Sequence, residues 1–185
     1  MAHPRILESS RSALLIVDVQ EAFRGVITGF DSLASRIATV ARGFQILGIP
    51  IFVTEQYPKG LGHTAAEIMR VLPAEAPIIE KTAFSSCGAA QLELGLNDVS
   101  AKQIVVCGLE THVCVNQTVH DLLDRGFAVH ILTDCVASRA KRNRRNGLAK
   151  MFAGGAVQSS VEMALFELMR DARHEKFKEV QALVK

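Results

Sequence analysis

Three polar side chains stand where apolar runs stop. Asp18 ends ALLIVD, Lys81 ends PIIEK, and Cys114 lies just past the turn after QIVVCG. A carboxylate, an ammonium and a thiol are chemically complementary: one takes a proton, one holds negative charge and one attacks an electrophilic carbon. The segment that Cys114 opens sets it apart from the other three cysteines. Residues 114–125 read as a helix, so the first N–H groups and the positive end of the dipole are expected at the thiol, favouring the thiolate. Each residue also has a plainer reading. An Asp after a strand is often a cap or turn former, a Lys there an exposed side chain, and a cysteine near a helix start a small core residue. Cys87, Cys107 and Cys135 are assigned to the core.

Short apolar runs alternate with longer segments of helical period, the pattern of a parallel α/β sheet. Strands are expected at residues 13–19, 50–54, 77–80, 103–107, 128–133 and 156–158. Several are near-continuous apolar runs, as strands covered on both faces must be; the third and sixth carry the weakest signal. Between the first two, Leu33, Ile37, Val40, Ala41, Phe44 and Leu47 recur at helical spacing, with Asp31 placed to cap the start and Gly48 to stop the end. Ser159-x-x-Glu162 has capping-box spacing ahead of another helix, and residues 174–184 read as a last amphipathic one. In an open parallel sheet ligands bind beyond the carboxyl ends of the strands, where the strand order reverses. Asp18, Lys81 and Cys114 fall at such ends.

The 185 residues, 49% of them hydrophobic, suit one domain spanning 1–185 with a substantial core. Lys and Arg number 21 against 19 for Asp and Glu, so no global field would recruit nucleic acid or an anionic membrane, and a small-molecule partner is expected. The opening MAHPRILESSRS is polar, and no apolar run approaches a membrane span. A cytoplasmic protein is expected, its four cysteines reduced: they lack the CxxC spacing of a zinc ribbon or thioredoxin motif.

The stretches ALLIVDVQEAF, EKTAFSS and CGLETHVCVNQTVHDLLDRGFAVHILTDCVASR resemble the isochorismatase-like cysteine hydrolases, the superfamily that includes nicotinamidase and N-carbamoylsarcosine amidohydrolase. The likeness covers nearly the whole chain, and TEQYPKGLG with the ending FKEVQALVK makes it most similar to the isochorismatase-domain-containing subgroup. The resemblance implies a Rossmann-like three-layer α/β/α fold with a six-stranded parallel sheet in the order 3-2-1-4-5-6, found in homo-oligomers. It implies Asp18 as general base, Lys81 as the group that stabilises the thiolate and holds the Asp, and Cys114 as the nucleophile that forms a thioester, with no cofactor. Backbone N–H groups of Glu110 and Cys114 would receive the oxyanion, and the family's cis peptide maps onto Leu109–Glu110. Phe23 matches the aromatic that lines the substrate pocket.

The chain also departs from these relatives. Nicotinamidases carry a metal-binding Asp-x-His after the second strand; here that place reads Thr54-Glu55-Gln56, and His63 beside one carboxylate is too small a ligand set, so no metal is expected. True isochorismatases cleave a vinyl ether and lack the cysteine. Hydrolysis of an amide-type C–N bond is therefore the expected activity, with vinyl-ether cleavage or a binding or scaffolding member that lost turnover as alternatives. Gln56, Tyr57 and His112 are candidate substrate contacts beside Phe23. Residues 138–150, SRAKRNRRNGLAK, form a basic segment that is either a solvated helix face or a patch for an anionic partner or another subunit.

Overall fold

Six apolar runs pair into one parallel sheet in the computed structural model, which describes residue 3 and residues 5–185. Met1, Ala2 and Pro4, part of the polar opening segment, lie outside the described residues. The strands are β1 (Ser12–Val17), β2 (Ile51–Gln56), β3 (Ile78–Lys81), β4 (Gln103–Leu109), β5 (Ala128–Ala137) and β6 (Val157–Ser159), in the order β3-β2-β1-β4-β5-β6. Every residue of β1 and β4 is buried, as their unbroken apolar sequences require. Edge strand β3 alternates exposed and buried positions instead, which is why its sequence signal is weak.

The helices are α1 (Phe30–Ile46), the single turns α2 (Pro58–Leu61) and α3 (Ala66–Met69), α4 (Ala90–Asp98), α5 (Asn116–Asp124), α6 (Lys141–Ala153), α7 (Val161–Met169) and α8 (Phe177–Val184). Phe44 of α1 and Leu165 of α7 share one core with Leu14, Ile16 and Leu132 of the sheet; Leu92 of α4 and Leu122 of α5 share the other with Leu15, Val106 and Ile131. The layers are thus helix, sheet, helix. Among the described residues no helix is long and apolar enough to cross a membrane.

Several helix starts differ from the sequence expectation, among them α8, which begins at Phe177 and not at residue 174. Gly29, in the left-handed region at φ 75°, is the N-cap of α1, and Asp31 lies within its first turn. Ser160 rather than Ser159 caps α7, accepting from the Met163 N–H, because Ser159 still belongs to β6. Strand β5 runs past its expected end to Ala137. A bulge opposite Cys107 shifts the register from Val106↔Ile131 to Gly108↔Val136.

Chain order reverses between β1 and β4, which pair side by side while their crossovers leave in opposite directions. Gly108 makes this junction possible: at φ 128° it sits so close to β1 that a Cβ would meet the Val17 carbonyl oxygen at 2.1 Å.

Candidate active site

Asp18 leaves β1 in a left-handed conformation, φ 53°, which Asp tolerates better than most residues. Its side chain is buried, and both oxygens are held. Lys81 Nζ, from the end of β3, donates to Oδ2 at 2.6 Å, and Thr54 Oγ1, from β2, donates to Oδ1 at 2.8 Å. The Lys81 ammonium is buried as well and is shared with Gln56 Oε1 at 2.7 Å and the Phe84 carbonyl at 3.0 Å. Gln20 in turn fixes the loop by bridging the backbone of Gln56 and Gly62.

A chain of hydroxyls reaches the same carboxylate from the other side. Thr118 Oγ1 donates to Ser86 Oγ at 3.2 Å, Ser86 Oγ lies 3.3 Å from Thr54 Oγ1, and Thr54 donates to Asp18. An ionised carboxylate only accepts, so the hydrogens run in one direction from α5 to Asp18, an arrangement that polarises each bond in turn.

Cys114 faces this unit from the segment after β4. It does not open α5. It lies in a π turn, Thr111–Val115, and α5 begins two residues later. The Glu110 carbonyl accepts from Val113 at 2.9 Å and Val115 at 3.3 Å but not from the Cys114 N–H between them. Among the described residues, neither the Glu110 nor the Cys114 N–H is taken by a backbone carbonyl outside its own element. The Leu109–Glu110 peptide is trans, not cis as the family likeness implied; the turn is made by the glycine conformation at Gly108 and the widened π turn. The expected resting thiolate is also corrected. Burial pushes the Cys114 thiol up to about 12, the Asp18 carboxylate adds to the rise, and the Lys81 ammonium opposes it. The direction of the shift favours the neutral thiol, whose attack would require a base to take the proton.

The other candidates separate into two groups. Gln56 and His112 are committed to the protein: Gln56 to Lys81, Thr82 and Gln20, and His112 to Ser138 Oγ at 3.1 Å through Nδ1 and to Asn143 at 3.2 Å through Nε2. Glu110 Oε2 lies 3.3 Å from His112 Nδ1, the nitrogen that already faces Ser138, so Ser138, His112 and Glu110 cannot relay a proton through two ring nitrogens as a catalytic triad does. Tyr57 is open to solvent, and Phe23 is half-buried. A cleft of about 490 Å³ opens beside Lys81, with Tyr57, Lys59, Thr82 and Ala89 on its walls. Glu55 at the end of β2 and His63 beyond it do not fit a divalent metal. Glu55 Oε1 is taken by the Thr64 N–H at 2.6 Å and hydroxyl at 2.7 Å, and Oε2 by His63.

Residues 12–163 match the family described as the isochorismatase domain. The chain belongs to this family. It is 38% identical over 180 residues to isochorismatase domain-containing protein 1 of Danio rerio; that match covers 97% of this chain but only 62% of the zebrafish protein. Among solved structures it is similar to one described as the MAR1 ribonuclease of Caenorhabditis elegans, with a TM-score of 0.93, 38% identity, and 97% of this chain and 92% of that one covered. It shares its fold with the Escherichia coli YcaC gene product, described as an octameric hydrolase of unknown specificity: TM-score 0.89, 21% identity, 96% of this chain and 88% of that one covered. The match to the isochorismatase family points to a hydrolase. In this member Thr54, Ser86 and Thr118 do not stand out in the sequence, since single hydroxyls carry no spacing signal, whereas Gln20 lies within ALLIVDVQEAF, one of the stretches that carry the family likeness.

Proposed function

We propose that the chain hydrolyses an amide-type C–N bond of a small molecule through a thioester on Cys114. The observation that carries this is the buried Lys81–Asp18 pair, 2.6 Å apart, at the switch point beside a thiol that burial keeps protonated. Asp18 takes the thiol proton as Sγ attacks the carbonyl carbon, and the N–H groups of Glu110 and Cys114 receive the oxyanion. The C–N bond breaks as Asp18 returns the proton to the departing nitrogen. Water then attacks the thioester, Asp18 takes its proton, and collapse of the second tetrahedral species frees the acid and gives the proton back to sulfur. Lys81 keeps Asp18 oriented and opposes the rise in the thiol's pKa. With Gln56 and His112 committed elsewhere, Phe23 and Tyr57 are the better candidates for substrate contact.

A homo-oligomer belongs to this proposal, supported by the description of YcaC as octameric and by exposed apolar side chains such as Leu94, Met163 and Phe166. So does a cytoplasmic setting, which four unpaired cysteines suit. A panel of small amides, carbamoyl compounds and imides, scored for ammonia or amine release by the protein before and after exhaustive chelation, tests the activity. Single-stranded RNA joins the panel because of the C. elegans protein's description. Turnover of an amide that survives chelation and disappears in Cys114→Ala is expected. Cleavage confined to RNA, or turnover that persists in Cys114→Ala, would overturn the reading.

A further inference from the structure

The basic segment after β5 serves the interior more than its composition suggests. Arg144 donates through Nε to the Val136 carbonyl at 2.9 Å and through Nη2 to that of Thr133, closing the bulged end of β5. Arg139 does something more specific. Its backbone N–H and its Nε both donate to one oxygen of Glu110, at 3.1 and 2.8 Å. Glu110 is buried and is the residue whose carbonyl holds the π turn at Val113 and Val115. Its carboxylate also lies near enough to Cys114 to push the thiol upward.

Helix α6 grips the same turn at two further points. A Cβ at Gly147 would meet the Thr111 carbonyl oxygen at 2.9 Å and His112 Cα at 3.0 Å, so only glycine lets the helix seat directly on the turn's backbone. Asn143 and Ser138 hold the two ring nitrogens of His112. The first three residues of the nucleophile segment, Glu110, Thr111 and His112, are therefore fixed from outside the segment, each by a different contact. A π turn gains little from local propensity, and an unpaired carboxylate beside Cys114 would disfavour ionisation of the thiol.

We infer that Arg139 and Glu110 are positioning residues for Cys114: their clamp, together with the Gly147 seat, sets the sulfur and the oxyanion N–H groups for attack. This rests on reading Cys114 as the nucleophile. Arg139 acts through Glu110, supplying a countercharge and two donors that hold the turn's first residue at the end of β4. Arg139 thus reaches the buried Glu110 from the surface, its own side chain exposed like those of Lys141, Arg142 and Arg145.

The test uses the full chain and two readouts: turnover of the amide found in the panel, and the iodoacetamide labelling rate of Cys114 relative to Cys87, measured in the same sample by peptide mapping. Cys87 lies in the turn before α4, with its carbonyl held by Arg125, and serves as the internal reference for opening of the fold. Arg139→Gln and Gly147→Ala are expected to lower kcat about 10²-fold with KM within about twofold. Both should lower the Cys114 to Cys87 labelling ratio about tenfold. Arg139→Lys keeps the charge and one donor, and is expected to recover a substantial part of both.

Cys114→Ala separates the clamp from the reading beneath it. If that variant keeps turnover, the nucleophile assignment fails. If it abolishes turnover while Arg139→Gln and Gly147→Ala leave kcat and the labelling ratio within about twofold of the parent, the clamp alone is overturned. Labelling that rises equally at both cysteines, with a lowered melting midpoint, would assign Arg139 to global stability and also overturn it. The Lys variant decides the matter where Arg139→Gln does not fold.

Discussion

On the β1–β2–β3 side of the switch point, polar groups are matched: Asp18 has two donors, Lys81 four acceptors, and Thr54, Gln20 and Gln56 are all bonded. On the β4 side, Thr111 Oγ1 and Asn116 Oδ1 are buried without a hydrogen-bond partner among the described residues, and Glu110 Oε2 has only its 3.3 Å approach to His112 Nδ1, which does not make a hydrogen bond. The two sides meet within one site yet obey opposite rules. On the proposed reading, an acid–base unit must hold its geometry before the substrate arrives, so folding saturates it. On that same reading the turn carrying Cys114 must instead present N–H groups to charge that develops only during reaction. The difference teaches where stability and reactivity are kept. Leaving a buried polar atom unpaired costs about 1–3 kcal/mol, and that cost falls on the reactive side.

The largest expected effect breaks the comparison at its centre. If the saturated side exists to serve Cys114, then Asp18→Asn, Lys81→Met and Cys114→Ala each lower turnover about 10³-fold or more, and any double variant loses little beyond the worse single one. Ligand affinity measured by calorimetry should largely remain in all three. Additive modest losses would mean that the three side chains do not act on one carbonyl.

A second effect is on stability. Lys81→Met strands a buried carboxylate, and a loss of about 3–5 kcal/mol in denaturant unfolding is expected. Asp18→Asn combined with Lys81→Met removes both charges and should be markedly more stable than Lys81→Met alone. A double variant no more stable than that single one would show that the pair is worth little to the fold.

His130 tests whether unpaired polar atoms cost stability when they lie away from the site. It is buried in β5, and neither ring nitrogen has a partner among the described residues. Burial depresses its pKa from 6.5 to about 4. The unfolded chain therefore binds the proton first as the pH falls. Stability from this group is complete above pH 6.5 and is lost on the way down to about 4, on the order of 3 kcal/mol in all. His130→Leu should flatten the acid side of the stability profile while leaving turnover at neutral pH unchanged. A profile equally steep in the variant would assign the acid loss to other groups.

Much of this frame is legible in the sequence, for physical reasons that differ by element. Strands β1 and β4 announce themselves because burial on both faces demands long apolar runs, and Asp18 stands out as the first charge after one. Lys81 follows Glu80 in the weakly marked β3, and its signal is the likeness of EKTAFSS to the family. Composition puts the end of β5 too early, since a bulge is a matter of register with β4 and leaves no mark in residue type. Cys114 reads as the first residue of an α-helix; an α turn and a π turn differ by one residue in hydrogen bonding and share their side-chain preferences. A resting thiolate is the expectation from the helix dipole alone. Burial, which sequence does not quantify, outweighs a dipole effect of about 0.3–1 kcal/mol. The clamp is hidden for a similar reason: Glu110 and Arg139 are far apart in sequence, and only the pairing of Leu109 with Ala137 brings them together.

The smallest expected effect compares the two sides by one chemical change made twice. Thr54 and Thr111 are both fully buried, yet the hydroxyl of Thr54 donates to Asp18 and that of Thr111 has no partner among the described residues. Replacing either by Val removes a hydroxyl and adds a methyl of similar size. At Thr54 the change leaves Asp18 one donor short and interrupts the chain from Thr118, so a loss of about 1–3 kcal/mol is expected, with slower turnover. At Thr111 it removes an atom that was already unsatisfied, so stability should stay within about 1 kcal/mol of the parent or rise. Urea midpoints of the two variants, measured side by side, decide the matter. Equal losses at both positions would show that the Thr111 hydroxyl is satisfied in solution, and the contrast between a saturated and an open side would fail there first. Unchanged stability with slower turnover in Thr111→Val would instead sharpen it, by showing that the idle hydroxyl is used only when substrate is bound.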